Sequence, residues 1–270
     1  MALKTGTEKL AMLGGRPVRT APWPKWPLFT EQDVADVGAV LRDGRLTSIT
    51  GPKVHEFEEA FAAKFGARHA LATCNGVTAL HLALAALGIG PGDEVIVPAH
   101  TFIGTAIPVL MANAVPVFVD VSLETFNIDV GKIEAAITDR TKAILPVHLN
   151  GLAADLGAIL ALAAKRNLFV IEDACQAHGG LYQGRMLGTM GRIGCFSFFE
   201  DKVITTGEGG MLITDDAAAP VGGRSRLGKP SGPTGRTPAR KGCAQSRCIA
   251  PMRAATASSR STFWSACRPG

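Results

Sequence analysis

The chain has 270 residues, 47% hydrophobic and 19% charged, the balance of a soluble globular protein long enough for one large domain or two small ones. Asn75, His81 and Asp93 interrupt its most apolar runs, so no segment reads as a bilayer span, and Met1–Lys9 lacks the apolar block of a secretion signal. The net charge of +5 is uneven: residues 1–216 hold 18 basic and all 23 acidic residues, net −5, while residues 217–270 hold 10 basic residues and no acidic one.

Six cysteines without a CxxC pair predict reduced thiols and a cytoplasmic protein, with no metal site. Cys175 and Cys195 read as small core residues. Three segments follow from composition and pattern: an entry segment over residues 1–50, a large domain over 51–216, and an atypical basic tail over 217–270.

In the entry segment, Pro22-Trp-Pro-Lys-Trp-Pro27 is extended and stiffened by proline. Thr30-Glu-Gln-Asp opens a helix with a hydroxyl cap and early acids, followed by Val34, Val37, Val40 and Leu41 at helical spacing. A second helix runs near Lys53–Phe65 and stops at Gly66. From Arg68 onward, short apolar strands alternate with helices. The predicted strands are His69–Thr73, Glu94–Val97, Val115–Val119, Ala143–Val147, Leu168–Ile171, Ile193–Phe199 and Met211–Thr214. The predicted helices are Thr78–Leu87, Ile103–Ala112, Val130–Ile137 and Leu156–Arg166. This alternation predicts an α/β fold with a mostly parallel sheet between helices, and parallel strands place ligand sites beyond their carboxyl ends.

Three of those ends carry unusual residues. In Cys74-Asn-Gly-Val-Thr-Ala-Leu-His81, Gly76 permits a tight turn, and the amides of Val77 and Thr78, with the Thr78 hydroxyl, open a helix suited to a phosphate. The plain alternative is an ordinary strand–turn–helix corner. In Val170-Ile-Glu-Asp-Ala-Cys-Gln-Ala-His178, Asp173 follows an apolar strand, where burial demands a cation such as a protonated pyridine nitrogen; alternatively it caps the next turn. Gln176 and His178 can equally satisfy nearby backbone groups. In Ser197-Phe-Phe-Glu-Asp-Lys202, Ser197 can face a phosphate, and Lys202 can meet a carbonyl in a dry pocket that favours the neutral amine and a Schiff base; a lone loop lysine is otherwise a solvated charge. Gly207, Gly209 and Gly210 then reverse the chain. Phe102, in Pro98-Ala-His-Thr-Phe102, can stack on a flat ring or serve in the core. Phosphate cradle, pyridinium carboxylate and lysine together are the parts of a pyridoxal phosphate site.

At this point the sequence resembles the DegT/DnrJ/EryC1/StrS sugar aminotransferases of the aspartate-aminotransferase-like fold type I superfamily. The segments that carry the resemblance are Asn75–Leu84, Gly90–Pro98, Pro116–Asp120, Ile171–Gly179, Gly194–Phe199 and Thr206–Met211, within residues 12–216. The resemblance implies a fold type I large domain that binds pyridoxal 5'-phosphate. Lys202 would hold the cofactor as its internal aldimine and then move a proton. Asp173 would pair with the pyridinium nitrogen, Phe102 would stack on the ring, Gln176 would lie near the 3′-oxygen, and Gly76, Val77, Thr78 and Ser197 would hold the phosphate. Val77 replaces the family's usual Thr, and Glu200-Asp201 its usual Pro-Thr or Gly-Asn. The implied reaction moves an amino group from Glu or Gln to a nucleotide-linked keto-deoxysugar or a keto-cyclitol, in a homodimer, for antibiotic or polysaccharide synthesis. Leu13–Val18 and Pro22–Pro27 resemble the cyclitol-acting members in particular.

Family members continue into a C-terminal domain that residues 217–270 do not resemble. That tail reads as an out-of-frame translation or as a basic arm. The first reading implies a truncated, catalytically impaired chain that does not dimerise properly; the second would make a nucleic-acid binder, which is the weaker reading. A sugar dehydratase of the same family is the other enzyme reading, disfavoured because those 3-dehydratases replace the lysine that Lys202 supplies here.

Overall fold

The alternation of apolar strands with helices yields one sheet covered on both faces, over the residues 9–216 that the computed structural model describes. In chain order the elements are α1 (Glu31–Asp43), α2 (Lys53–Phe65), β1 (His69–Thr73), α3 (Gly76–Ala86), β2 (Glu94–Pro98), α4 (Ile107–Met111), β3 (Val115–Val119) and α5 (Val130–Ala136). They continue as β4 (Thr141–Ile144), α6 (Leu156–Arg166), β5 (Phe169–Asp173), a small hairpin of β6 (Leu181–Tyr182) and β7 (Arg185–Met186), then β8 (Ile193–Ser197) and β9 (Gly210–Thr214). The main sheet has seven strands in the order β1-β9-β8-β5-β4-β2-β3. The pairs from β3 across to β8 are parallel, and only β9 runs against the rest, between β8 and β1. The basic tail predicted over residues 217–270 lies outside the described residues.

Alternate residues of the strands divide the core between the two faces. Ile171, Ile193 and Cys195 pack with Leu80, Leu84 and Val109 from α3 and α4. On the opposite face, Ile96, Ile144 and Val170 meet Ile133 and Ile159 from α5 and α6, and Phe196 and Phe198 meet Phe61 of α2. The ring centres of Phe61 and Phe196 are 5.1 Å apart, in edge-to-face contact. Helix α3 buries Ala79, Leu80, Ala83 and Leu84; at roughly 1.5–3 kcal/mol per buried leucine, this packing fixes α3 against the sheet far more strongly than helix propensity does.

Local signals set the helix ends. Thr30 and Asp33 form a reciprocal capping box at the start of α1, and left-handed Gly66 ends α2. Helix α3 starts at Gly76, two residues before the predicted Thr78, because the Asn75 carboxamide accepts from the Thr78 amide at 2.9 Å and caps the turn. The predicted helix Ile103–Ala112 is broken into a 3-10 turn, Ile103–Thr105, and the five-residue α4. Pro108 lacks the amide that would continue the ladder back to Gly104, so the helix restarts with proline in its first turn. The strand predicted over Ala143–Val147 is shifted to Thr141–Ile144, while β5 extends to include Asp173 itself.

Candidate active site

The carboxyl ends of β1, β5 and β8 meet in a cleft of about 420 Å³. Its lining includes Gly76, Val77, Phe102, Asp173, Gln176, Ser197 and Lys202, seven of the eight residues expected to touch the cofactor. A larger groove of about 540 Å³ lies at the opposite end of the sheet, between Phe65, Arg192 and Asp215, and contains none of them. Parallel sheets bind ligands at the carboxyl end, so the smaller cavity is the candidate site.

The eighth residue, Thr78, is not among the lining residues. Its amide donates to Asn75 Oδ1, and its hydroxyl donates to the same oxygen at 3.0 Å. The turn therefore leaves the Gly76 and Val77 amides as the helix-terminal donors without an intrahelical partner. Gly76 faces the end of β8: a Cβ there would lie 2.8 Å from Cys175 Sγ and 2.9 Å from Ser197 Cβ. Only glycine permits that approach. Ser197 Oγ accepts from the Phe199 amide at 3.3 Å, which turns the chain away from β8.

Asp173 is 4% exposed and has no ion-pair partner among the described residues. Both sequence readings of it are visible at once. Oδ1 accepts from the Cys175 amide at 3.2 Å, as a turn cap does, while Oδ2 accepts from the Thr105 hydroxyl at 2.8 Å. Thr105 belongs to the 3-10 turn just after Phe102, whose exposed ring forms another wall of the cleft. Sequence reasoning missed Thr101 and Thr105; their spacing of four residues beyond β2 was the available signal.

Lys202 sits in a loop pinned by Lys202 N→Phe199 O at 3.0 Å and Thr206 N→Phe198 O at 3.0 Å. Gly207, with φ of 82°, supplies the left-handed residue that turns the loop toward β9. The Trp26 indole N–H donates to the Glu200 carbonyl at 3.1 Å, tying the proline-rich entry segment to this loop. The expected dry amine is not seen. The Lys202 side chain keeps 21% of its exposure, and Nζ lies 2.8 Å from Asp201 Oδ1, itself 64% exposed. Asp201, the residue that departs from the family pattern, is therefore the direct neighbour of the lysine.

Gln176 takes the backbone-satisfying option: its Oε1 accepts from the Asn150 amide at 2.7 Å. Cys195 is fully buried as expected, but Cys175 is only partly so and borders the cleft. Burial, reinforced by the Asp173 charge, pushes the Cys175 thiol well up, leaving it protonated and unreactive.

His178 does not take the backbone-satisfying option foreseen for it. Neither ring nitrogen has a hydrogen-bond partner among the described residues, and the ring packs 5.5 Å from Phe196 and 5.6 Å from Phe198. Burial lowers it from 6.5 to about 4; the nearby Ser197 backbone opposes this without making a bond of good geometry. A histidine whose folded value is depressed stabilises fully above its unfolded value and loses that contribution as pH falls toward the folded one. The fold should therefore be about 2 kcal/mol less stable at pH 5 than at pH 7 through this residue alone. Urea unfolding at the two pH values checks it. His178→Phe should remove that part of the slope, and an unchanged slope would refute the assignment.

The architecture and site define an α/β protein whose chemistry gathers at the carboxyl edge of a parallel sheet. The model of the DegT/DnrJ/EryC1/StrS aminotransferase family matches residues 27–220, and the chain belongs to that family. It is similar to the GDP-perosamine synthase of Caulobacter vibrioides, 55% identical over 63% of this chain and 46% of the relative. It is also similar to the L-glutamine:2-deoxy-scyllo-inosose aminotransferase of Streptomyces paromomycinus, 45% identical over 78% and 51%. A solved structure, the PLP form of the sugar aminotransferase Spr1654 from Streptococcus pneumoniae, superposes with a TM-score of 0.68 at 32% identity, covering 72% of this chain and 53% of that one. The chain thus spans about half the length of the relatives it matches.

Proposed function

We propose that this protein is a pyridoxal phosphate-dependent aminotransferase that moves an amino group from Glu or Gln to a nucleotide-linked keto-deoxysugar or a keto-cyclitol. The observation that carries the reading is the meeting, in one cleft, of a helix N-terminus, a buried carboxylate and a lysine that lie more than 120 residues apart in sequence from first to last. Relatives named for GDP-perosamine synthesis and for glutamine-dependent amination of an inosose support the two acceptor classes and the donor. Homodimer assembly and a cytoplasmic location complete the proposal; no helix among the described residues is long and apolar enough to cross a membrane.

The residues present fit the cofactor. The Gly76 and Val77 amides and the Ser197 hydroxyl would bind the phosphate, in a cradle that a Cβ on Gly76 would fill. Among the described residues the lining offers one cation, Lys202, against Asp173, Asp201 and Glu208, so phosphate binding by these residues would depend on amide and hydroxyl donors. Asp173 would accept from the ring nitrogen, Phe102 would cover the ring face and Gln176 would lie near the 3′-oxygen; Thr78 would act at one remove, by fixing the Asn75 cap. When bound, pyridoxal phosphate supplies an aldehyde that condenses with amines and a protonated ring that withdraws electrons. Lys202 Nζ would hold the aldehyde covalently, and once displaced by the donor would carry the proton from the donor's Cα. Asp201 is placed to keep that amine near the cleft mouth when it is free.

Lysine 202 also favours the transaminase over the dehydratase reading, because the amine needed for proton transfer is present. The test is chemical. Borohydride reduction of the protein with pyridoxal phosphate should label one peptide, the one containing Lys202, and Lys202→Ala should abolish the label. Attachment at another lysine in cofactor-saturated protein would overturn the reading.

A further inference from the structure

The hydroxyls of Thr101 and Thr105 form a directed chain that ends on Asp173. Thr105 is buried, 1% exposed, and its hydroxyl lies 2.8 Å from Asp173 Oδ2 and 2.9 Å from the Thr101 hydroxyl. An ionised carboxylate only accepts, so Thr105 spends its single hydrogen on Asp173. Thr101 must then be the donor to Thr105. The order is Thr101 O–H to Thr105 O–H to carboxylate, and each bond polarises the next. With the Cys175 amide on Oδ1, the carboxylate is held from both sides, and its rotation about the Cβ–Cγ bond is stopped.

The same 3-10 turn that carries Thr105 begins immediately after Phe102. One rigid turn therefore places the ring-covering side chain and the hydroxyl that aims the ring's counter-charge. We propose that Thr105, supported by Thr101, is a positioning residue for Asp173, fixing its free lone pairs toward the nitrogen of the bound pyridine ring. This rests on the pyridoxal phosphate reading above, and acts through Asp173 without touching the cofactor.

The experiment compares pyridoxal phosphate with its carbocyclic analogue, in which CH replaces the ring nitrogen. Affinity is measured by titration for the full chain, Thr105→Val, Thr105→Ser and Thr101→Val. Thr105→Val keeps the shape and deletes the hydroxyl, and should weaken pyridoxal phosphate binding about tenfold. Thr105→Ser should restore it, and Thr101→Val should weaken it by roughly threefold, since only the outer donor is lost. For the analogue, which cannot engage Asp173, all four proteins should bind alike. Equal losses for both ligands would mean a merely structural threonine and overturn the proposal, as would an unchanged affinity in Thr105→Val. Should that variant fail to fold, Thr101→Val alone decides, by the same comparison of the two ligands. If the unmodified chain binds pyridoxal phosphate but shows no difference among variants, only this inference fails; if it forms no bond to the cofactor at Lys202, the functional reading fails with it.

Discussion

Asp173→Asn should leave the protein folded and lower amino-group transfer about 10²- to 10³-fold, the usual penalty for removing a preorganised charge from a reacting centre. The substitution is nearly isosteric, and its surroundings can absorb it. Asn can still accept from the Cys175 amide, now at 3.2 Å from Oδ1, and present its amide nitrogen to Thr105. The Thr105 hydroxyl then reverses, accepting from Asn and donating to Thr101, 2.9 Å away. The local hydrogen bonds are thus conserved and only the negative charge disappears. On the proposed pyridoxal phosphate reading, a bound ring would then not be held protonated, and its capacity to withdraw electrons would fall. The check is single-turnover mixing of cofactor-loaded protein with glutamine or glutamate, alongside circular dichroism. Transfer within threefold of the unmodified protein would remove Asp173 from its assigned role, whereas loss of the folded signal would show that its work is structural.

The sequence is most legible where one residue's chemistry sets a local outcome. The Thr30 cap, the Gly66 stop and the strand end at Thr73 follow from such signals, whereas the strand predicted over Ile193–Phe199 stops at Ser197, whose hydroxyl accepts from the Phe199 amide. The cleft residues were legible because parallel topology brings strand ends together irrespective of their separation in sequence. What escaped depends on side-chain partners, near or far along the chain, that no apolar pattern announces. The loss of Thr78 from the cleft follows from a competing cap, Asn75. The ion pair of Lys202 with Asp201 arises from the tight loop rather than from any pattern of apolar residues. The Thr105–Asp173 contact spans 68 residues, and the Trp26–Glu200 contact 174. Adjacent residues also diverge by strand parity: Asp173 points to the cleft face, while Glu172 points beneath the sheet, and a sequence motif read as one unit conceals that division.

Glu172→Ala should destabilise the fold by about 3–5 kcal/mol, a large share of the roughly 5–15 kcal/mol of a typical domain. Glu172 and His148 are both completely buried. Glu172 Oε2 accepts from His148 Nε2 at 3.0 Å and from the Gly188 amide at 2.7 Å; Oε1 accepts from the Met190 and Gly191 amides at 2.7 and 2.5 Å. His148 Nδ1 accepts from the Ala154 amide at 3.2 Å, so Nε2 carries the hydrogen given to Glu172. Truncation would strand four donors at once, two of them buried and two part-buried. Glu172→Gln should cost less, about 2 kcal/mol, because its carboxamide oxygen still serves one pair of donors while its NH₂ meets the other. Burial works to raise the Glu172 carboxyl, but the hydrogen bonds from His148, Gly191 and Gly188 outweigh it and hold the group below its ordinary 4.5. A carboxylate depressed in the folded state stabilises fully above its unfolded value and loses that contribution as pH drops below about 4.5. This window is lower than that of His178, so urea titrations at pH 7, 5 and 3.5 separate the two residues. The clamp also joins the ends of β4 and β5, where Asp173 N donates to Pro146 O at 2.9 Å and His148 N donates to Asp173 O at 3.1 Å. Loosening it should shift the Asp173 carboxylate, so on the proposed function the Glu172→Gln protein that remains folded should bind pyridoxal phosphate more weakly than its stability alone predicts. A Glu172→Ala protein within 1 kcal/mol of the unmodified chain would show that these four donors find other partners.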